Sequence, residues 1–175
     1  MQFSPKYHLS IRILHWLMAA IIISLLAVGL IMEDLPRSDP LRATLFSLHK
    51  SFGITILFLA IIRLGLRLRL GIPPLPDIIP AIERVMAELG HKTLYCFMFA
   101  LPLSGYLMTN SFGFPVKWFG IELPRLIDAD KARGHLLVDF HQYAAYILIG
   151  VISVHALAVL WHFLKQRLNL LSRMW

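Results

Sequence analysis

The stretch LLVDFHQYAAYILIGVISVHALAVLWHFL, residues 136–164, decides the fold. After Asp139 it contains no Asp, Glu, Lys or Arg. A helix needs about 20 apolar residues to cross a bilayer, so this run reads as a transmembrane span. Three histidines, His141, His155 and His162, stand in it. His141 and His155 are fourteen residues apart. At about 100° and 1.5 Å per residue they share one helix face, about 21 Å apart along the axis.

Outward from this stretch, three more apolar runs cover residues 11–32, 45–66 and 93–109. The first is interrupted by Arg12 and His15, and the second has His49 and Lys50 near its beginning. The third is short for a span and contains Pro102 and Gly105, so a kink is expected there. Polar, proline-containing segments separate the runs. Pro73, Pro74, Pro76 and Pro80 exclude one helix across residues 71–80. Residues 83–92 read as a short surface helix and residues 111–134 as a long loop. The N-terminal segment does not read as a cleavable signal, because the run after it is too long. The expectation is an all-α, multi-pass, integral membrane four-helix bundle, with residues 1–175 as a single domain.

Composition agrees. The chain of 175 residues is 58% hydrophobic and 15% charged, against about 25% charged residues in soluble domains. The single cysteine, Cys96, excludes an intrachain disulfide or thiolate cluster and reads as core filling. The net charge of +7 is distributed by topology. The end with both termini and the 71–80 loop carries ten basic residues, among them Arg167, against Asp77, Glu83 and Glu88. The other end carries seven basic and seven acidic residues. Positive charge marks the cytoplasmic side, which places both termini in the cytoplasm and argues for lipid, not nucleic acid, as the partner.

Ionisable groups inside a membrane face the bundle interior and mark function. Antiparallel arithmetic sorts the buried histidines by depth. His15 lies eighteen residues from Glu33 and His155 sixteen from Asp139, the charges at the outer ends of their helices. His49 opens the second run, and His141 follows Asp139 by two residues. The expected pairs are His15 with His155 near the cytoplasm, and His49 with His141 near the outer face. Zinc asks for three or four ligands per site, including Cys or carboxylate. Two bis-histidine haems fit better, and two axial imidazoles favour electron transfer over oxygen binding. The competing reading of each histidine alone is an interhelical hydrogen bond. His162 fits the depth of His15 less well than His155 does. It stands beside Trp161 as an interfacial residue or as part of a quinone or proton site. His8, His91 and His135 read as solvated, and Trp16, Trp118 and Trp161 as interface residues. Gly53 and Gly150 are positions where a porphyrin would approach the backbone.

Arg12-x-x-His15-Trp16, His49 followed by Arg63 and Arg67, His91-x-x-x-Tyr95, Leu101-Pro102-Leu103-Ser104-Gly105, and the histidines of the fourth run occur in one order along nearly the whole chain. This ordered set resembles the bacterial cytochrome b561 family, which is related to the cytochrome b subunits of nickel-iron hydrogenases and formate dehydrogenases. The resemblance implies two haems b in a four-helix bundle of the bacterial inner membrane, with His15, His49, His141 and His155 as axial ligands. It also implies electron transfer, from periplasmic superoxide to ubiquinone in the superoxide oxidases of the family. The alternative is a cytochrome b subunit of a larger dehydrogenase or hydrogenase, with that complex as partner. On the superoxide reading, Lys117, Arg125, Lys131 and Arg133 are the residues that attract the anion, and His162 and Trp161 flank the quinone.

Overall fold

A computed structural model describes residues 5–76, 78–165 and 169–175. Asp77 and Arg167 of the charge count therefore lie outside the described residues. Four helices dominate: α1 Leu9–Asp34, α2 Pro40–Leu70, α3 Ala81–Ser111 and α4 Lys131–Lys165. The longest connection, residues 112–130 between α3 and α4, contains a two-stranded hairpin, β1 Lys117–Trp118 and β2 Ile121–Glu122. The chain is an all-α membrane bundle. Among the described residues, α1, α2 and α4 are each long and apolar enough to cross a bilayer. α3 packs between α2 and α4. Its buried residues include Ser104, Thr109, Asn110 and Ser111, so it is the most polar of the four inside the bundle.

The helix ends follow local chemistry. The Asp39 carboxylate accepts from the Leu41 N–H at 2.8 Å, and Pro40 occupies the first helical position of α2. Gly71, at φ +75°, closes α2 by donating its N–H to the Arg67 carbonyl. The helices run beyond the apolar stretches. In α3 the difference is largest: residues 83–92 are the continuous first turns of this helix, not a separate surface element. The helix also passes through Pro102 unbroken.

A buried cluster of Met18, Ile56, Ala60 and Met98 binds α1, α2 and α3 together. α4 buries Gly134, Ala144 and Leu148, while Ile147, Val154 and Leu157 are more than half exposed. A face this apolar is covered by lipid in an integral membrane protein. Cys96 is also exposed on this outer surface, and so does not fill the core as expected. Both termini lie at the same end, where the Tyr7 N–H donates to the Arg173 carbonyl at 3.0 Å. At the opposite end Gln142 on α4 donates to Glu33 on α1 at 3.0 Å.

The hairpin covers that opposite end. Phe119 (φ +47°) and Gly120 (φ +91°) form its turn, both left-handed as a tight right-twisted hairpin requires. Ser51 on α2 accepts the Phe119 N–H at 3.0 Å, and the Trp118 indole donates to Thr55 at 3.1 Å. Val116 is buried against Ile54 and Tyr106. Asn110, fully buried, accepts the Leu126 N–H at 2.9 Å.

Candidate functional site

Two histidine groups stand at the two ends of the bundle. At the end opposite the termini, the rings of His49 on α2 and His141 on α4 stand edge-on, with centroids 6.2 Å apart and planes at 67°. Metal–imidazole bonds of about 2.0–2.1 Å, plus about 1.1 Å from each nitrogen to its ring centre, call for about 6.3 Å between centroids. The observed separation is of the size that two imidazoles on one metal atom would have. Among the described residues no three His, Cys, Asp or Glu side chains converge as a metal-ion site. The donor set is a pair of imidazoles.

The surroundings fix these rings. His141 Nδ1 lies 2.9 Å from Ser104 Oγ, and the Ser104 hydroxyl donates to the Leu101 carbonyl at 2.9 Å. Ser104 is thereby left to accept from Nδ1–H, which frees Nε2 as the donor atom toward a metal. A Cβ on Gly105 would lie 3.3 Å from His141 Cε1, and one on Gly29 would lie 3.5 Å from His49 Cε1. These two glycines, not Gly53 or Gly150, stand against the imidazoles; a Cβ at either of the latter meets open space. His49 Nδ1 is buried without a hydrogen-bond partner. A cavity of about 330 Å³ opens beside His49 between Leu25, Val28 and Phe52.

At the terminus-bearing end, His15 on α1 lies within Coulombic range of His155, His91 and Arg63. His15 Nδ1 is 3.2 Å from Arg63 Nη2. The His91 ring lies edge-on to that of His155, centroids 5.5 Å apart. That is closer than a metal between two imidazoles allows. His91 is therefore not solvated as expected; it is half-buried and packs on His155. Arg63 is 8% exposed, an unusual burial for a cation. It and Arg67 both lie over the Tyr95 ring at 5.5 Å. The Arg63 Nε and the Tyr95 hydroxyl are buried and unbonded.

The remaining candidates are dispersed. His162 lies 3.8 Å from Glu83 at the base of α3. Trp161 is exposed and stacks under the Lys165 ammonium. His8 and His135 are exposed, as expected. Lys117 sits in the hairpin within Coulombic range of Lys50, and Lys131 is exposed at the start of α4. Arg125 donates to the Gly113 carbonyl at 2.9 Å, and Arg133 to the Asp128 carbonyl and to Ser111. Those two guanidiniums hold the loop together. Trp118 packs on α2, and Trp16 donates to the Met174 carbonyl at 2.8 Å.

The chain matches the family model described as prokaryotic cytochrome b561 over residues 6–175. It is 32% identical to cytochrome b561 homolog 2 of Escherichia coli K12 over 162 residues, which is 91% of this chain and 86% of that protein. It is 31% identical to the probable superoxide oxidase CybB of Yersinia pestis, over 92% of this chain and 90% of that protein. Cytochrome b561 homolog 1 of Escherichia coli K12 is 26% identical over 92% of each. With its whole bundle inside that match, the chain belongs to the prokaryotic cytochrome b561 family, whose members are membrane electron-transfer proteins with b-type haem.

Proposed function

We propose that the protein is a superoxide:ubiquinone oxidoreductase of the bacterial inner membrane with two bis-histidine haems b. The observation that carries this reading is the 6.2 Å gap between the His49 and His141 rings, with Ser104 on one ring nitrogen. His49 and His141 would hold one haem, and His15 and His155 the other. When bound, haem b supplies a one-electron Fe(III)/Fe(II) couple. Two imidazoles on each haem would favour electron transfer over dioxygen binding.

The chain's own residues do the rest. Ser104 sets the tautomer and direction of His141. Gly29 and Gly105 leave the imidazoles the space they need. Arg63 and Arg67 are the cations for the carboxylate side chains of haem at the terminus-bearing end. A buried guanidinium without a counter-charge is costly, and among the described residues no carboxylate is one of the principal groups acting on Arg63. His91 packs on His155 and limits its rotation. Lys117, beside Lys50, together with Lys131 offers positive potential to an anion at the periplasmic end. Arg125 and Arg133 add charge there while holding the loop. His162, with Glu83 and Trp161, flanks the quinone at the cytoplasmic end.

The overall chemistry balances as two superoxide anions, one ubiquinone and two protons giving two dioxygen molecules and one ubiquinol. One relative carries the name probable superoxide oxidase, which supports this donor over others. The test is to expose the purified protein to superoxide and follow the haem α-band. Reduction without any added subunit is expected. Reduction that requires a dehydrogenase subunit would assign the protein to a larger complex instead.

A further inference from the structure

The last residues of the chain form a built wall beside the start of α1. The Arg173 side chain is 4% exposed, donates to the Pro73 carbonyl and lies over the Tyr7 ring at 5.4 Å. Its carbonyl takes the Tyr7 N–H. One residue on, the Met174 carbonyl takes the Trp16 indole N–H, and the Trp175 ring stands edge-on to Trp16 at 6.0 Å. Between this wall and α1 lies a shallow, open groove of about 640 Å³. Its polar part is lined by Lys6 and Arg12, its apolar part by Leu9, Ile13 and Leu17.

The three apolar residues recur every fourth position and are 58%, 58% and 46% exposed. They form one stripe about 12 Å long at 1.5 Å per residue. Neither the Lys6 nor the Arg12 side chain has a hydrogen-bond or ion-pair partner among the described residues, and Arg12 Nε is buried without an acceptor. A buried guanidinium N–H left unpaired is unfavourable, and phosphate oxygens are its best partners. Two cations, Lys6 and Arg12, an apolar stripe that starts beside them and runs about 12 Å inward, and Trp16 and Trp175 alongside match the headgroup and upper acyl part of one molecule of the surrounding bilayer.

We propose that this groove binds an anionic phospholipid, its phosphate on Lys6 and Arg12 and an acyl chain along Leu9, Ile13 and Leu17. A zwitterionic lipid carries a cation that opposes both side chains; an anionic one does not. The bound lipid holds the C-terminal residues against α1, and with them the end of the bundle that contains His15. The site is independent of what the protein oxidises.

Native mass spectrometry of the haem-loaded protein, released from mixed phosphatidylglycerol and phosphatidylcholine nanodiscs, tests it. The expected result is preferential retention of phosphatidylglycerol. The double variant Lys6→Gln/Arg12→Gln loses that retention by about tenfold, and the exposed Arg37→Gln keeps it. Ile13→Trp, which fills the stripe and leaves both cations, also lowers retention; haem content confirms that each variant is folded. Equal retention of the two lipids, or unchanged phosphatidylglycerol in the double variant, overturns the proposal. So does loss of a co-purified quinone in its place.

Discussion

At the scale of single residues, the His49–His141 gap is set by atoms that never touch a metal. Ser104 accepts from His141 Nδ1, and Gly105 leaves the ring 3.3 Å from where a Cβ would stand. Ser104→Ala removes the acceptor and keeps the shape. Loss of such a supporting group typically weakens metal binding about 10–100-fold. The variant is therefore expected to retain haem as isolated but to release it earlier under denaturant, with a shifted midpoint potential for one haem; an unchanged potential and release would show that Ser104 has no part in ligation. Gly105→Val acts by bulk, because its branched side chain enters the space of the imidazole. A fall in the haem-to-protein ratio by about one per chain is expected, the same loss as for His49→Ala or His141→Ala. Full haem content in all three would remove the pair from the ligand set. Arg63 is read through charge. Arg63→Gln keeps a polar group but withdraws the buried cation, which leaves the carboxylates of haem less compensated and the oxidised iron favoured. A lower midpoint potential for the other haem is the expected result of a redox titration.

At the scale of elements, what the sequence discloses depends on whether an interaction runs along the chain or across it. α1, α2 and α4 are legible because apolar runs this long have no soluble explanation. That His49 and His141 meet at one depth is legible because helix rise is fixed. The first turns of α3 are not, because Glu83, Glu88 and Lys92 give residues 83–92 the look of a surface segment. In the structure Glu88 and Lys92 pair at 2.7 Å on the outside of the helix, and His91, adjacent in sequence, turns in toward His155. Gly29 and Gly105 carry no local signal for the rings they meet, since those rings belong to other helices. The hairpin is hidden for the same reason: four strand residues and a left-handed turn at Phe119–Gly120 make a weak pattern, and its anchor is Ser51 on α2. That anchor is testable. Ser51→Ala leaves the Phe119 N–H without an acceptor, at a cost of about 1–3 kcal/mol. At about 2–4 °C per kcal/mol for a chain of this size, the thermal midpoint falls by several degrees. Trp118 emission shifts red if the hairpin leaves α2. No change in either would mean that Trp118 and Val116 alone secure the cover.

At the scale of the whole molecule, charge is divided between the two ends of the bundle. The excess of basic residues lies at the end with both termini, which the positive-inside bias assigns to the cytoplasm. A reporter fused after Trp175 is expected to be active as a cytoplasmic fluorescent protein and inactive as a periplasmic phosphatase; the reverse would invert the orientation. At the opposite end acids and bases balance in number, so any attraction of an anion is local and not a property of net charge. Arg125 and Arg133 spend their guanidiniums on loop carbonyls, while Lys117 stands within range of Lys50. Two neighbouring cations act over about one Debye length, about 8 Å at physiological salt. They therefore accelerate encounter with superoxide at low ionic strength and lose that effect as salt rises. Lys117→Glu is expected to slow superoxide-driven haem reduction by about three- to tenfold in dilute buffer, and the difference from the native protein narrows toward zero near 1 M salt. The same substitution leaves the rate with a neutral reductant unchanged, which separates steering from damage to the hairpin. If native protein and variant show the same rate and the same salt slope, superoxide does not approach through this end of the bundle.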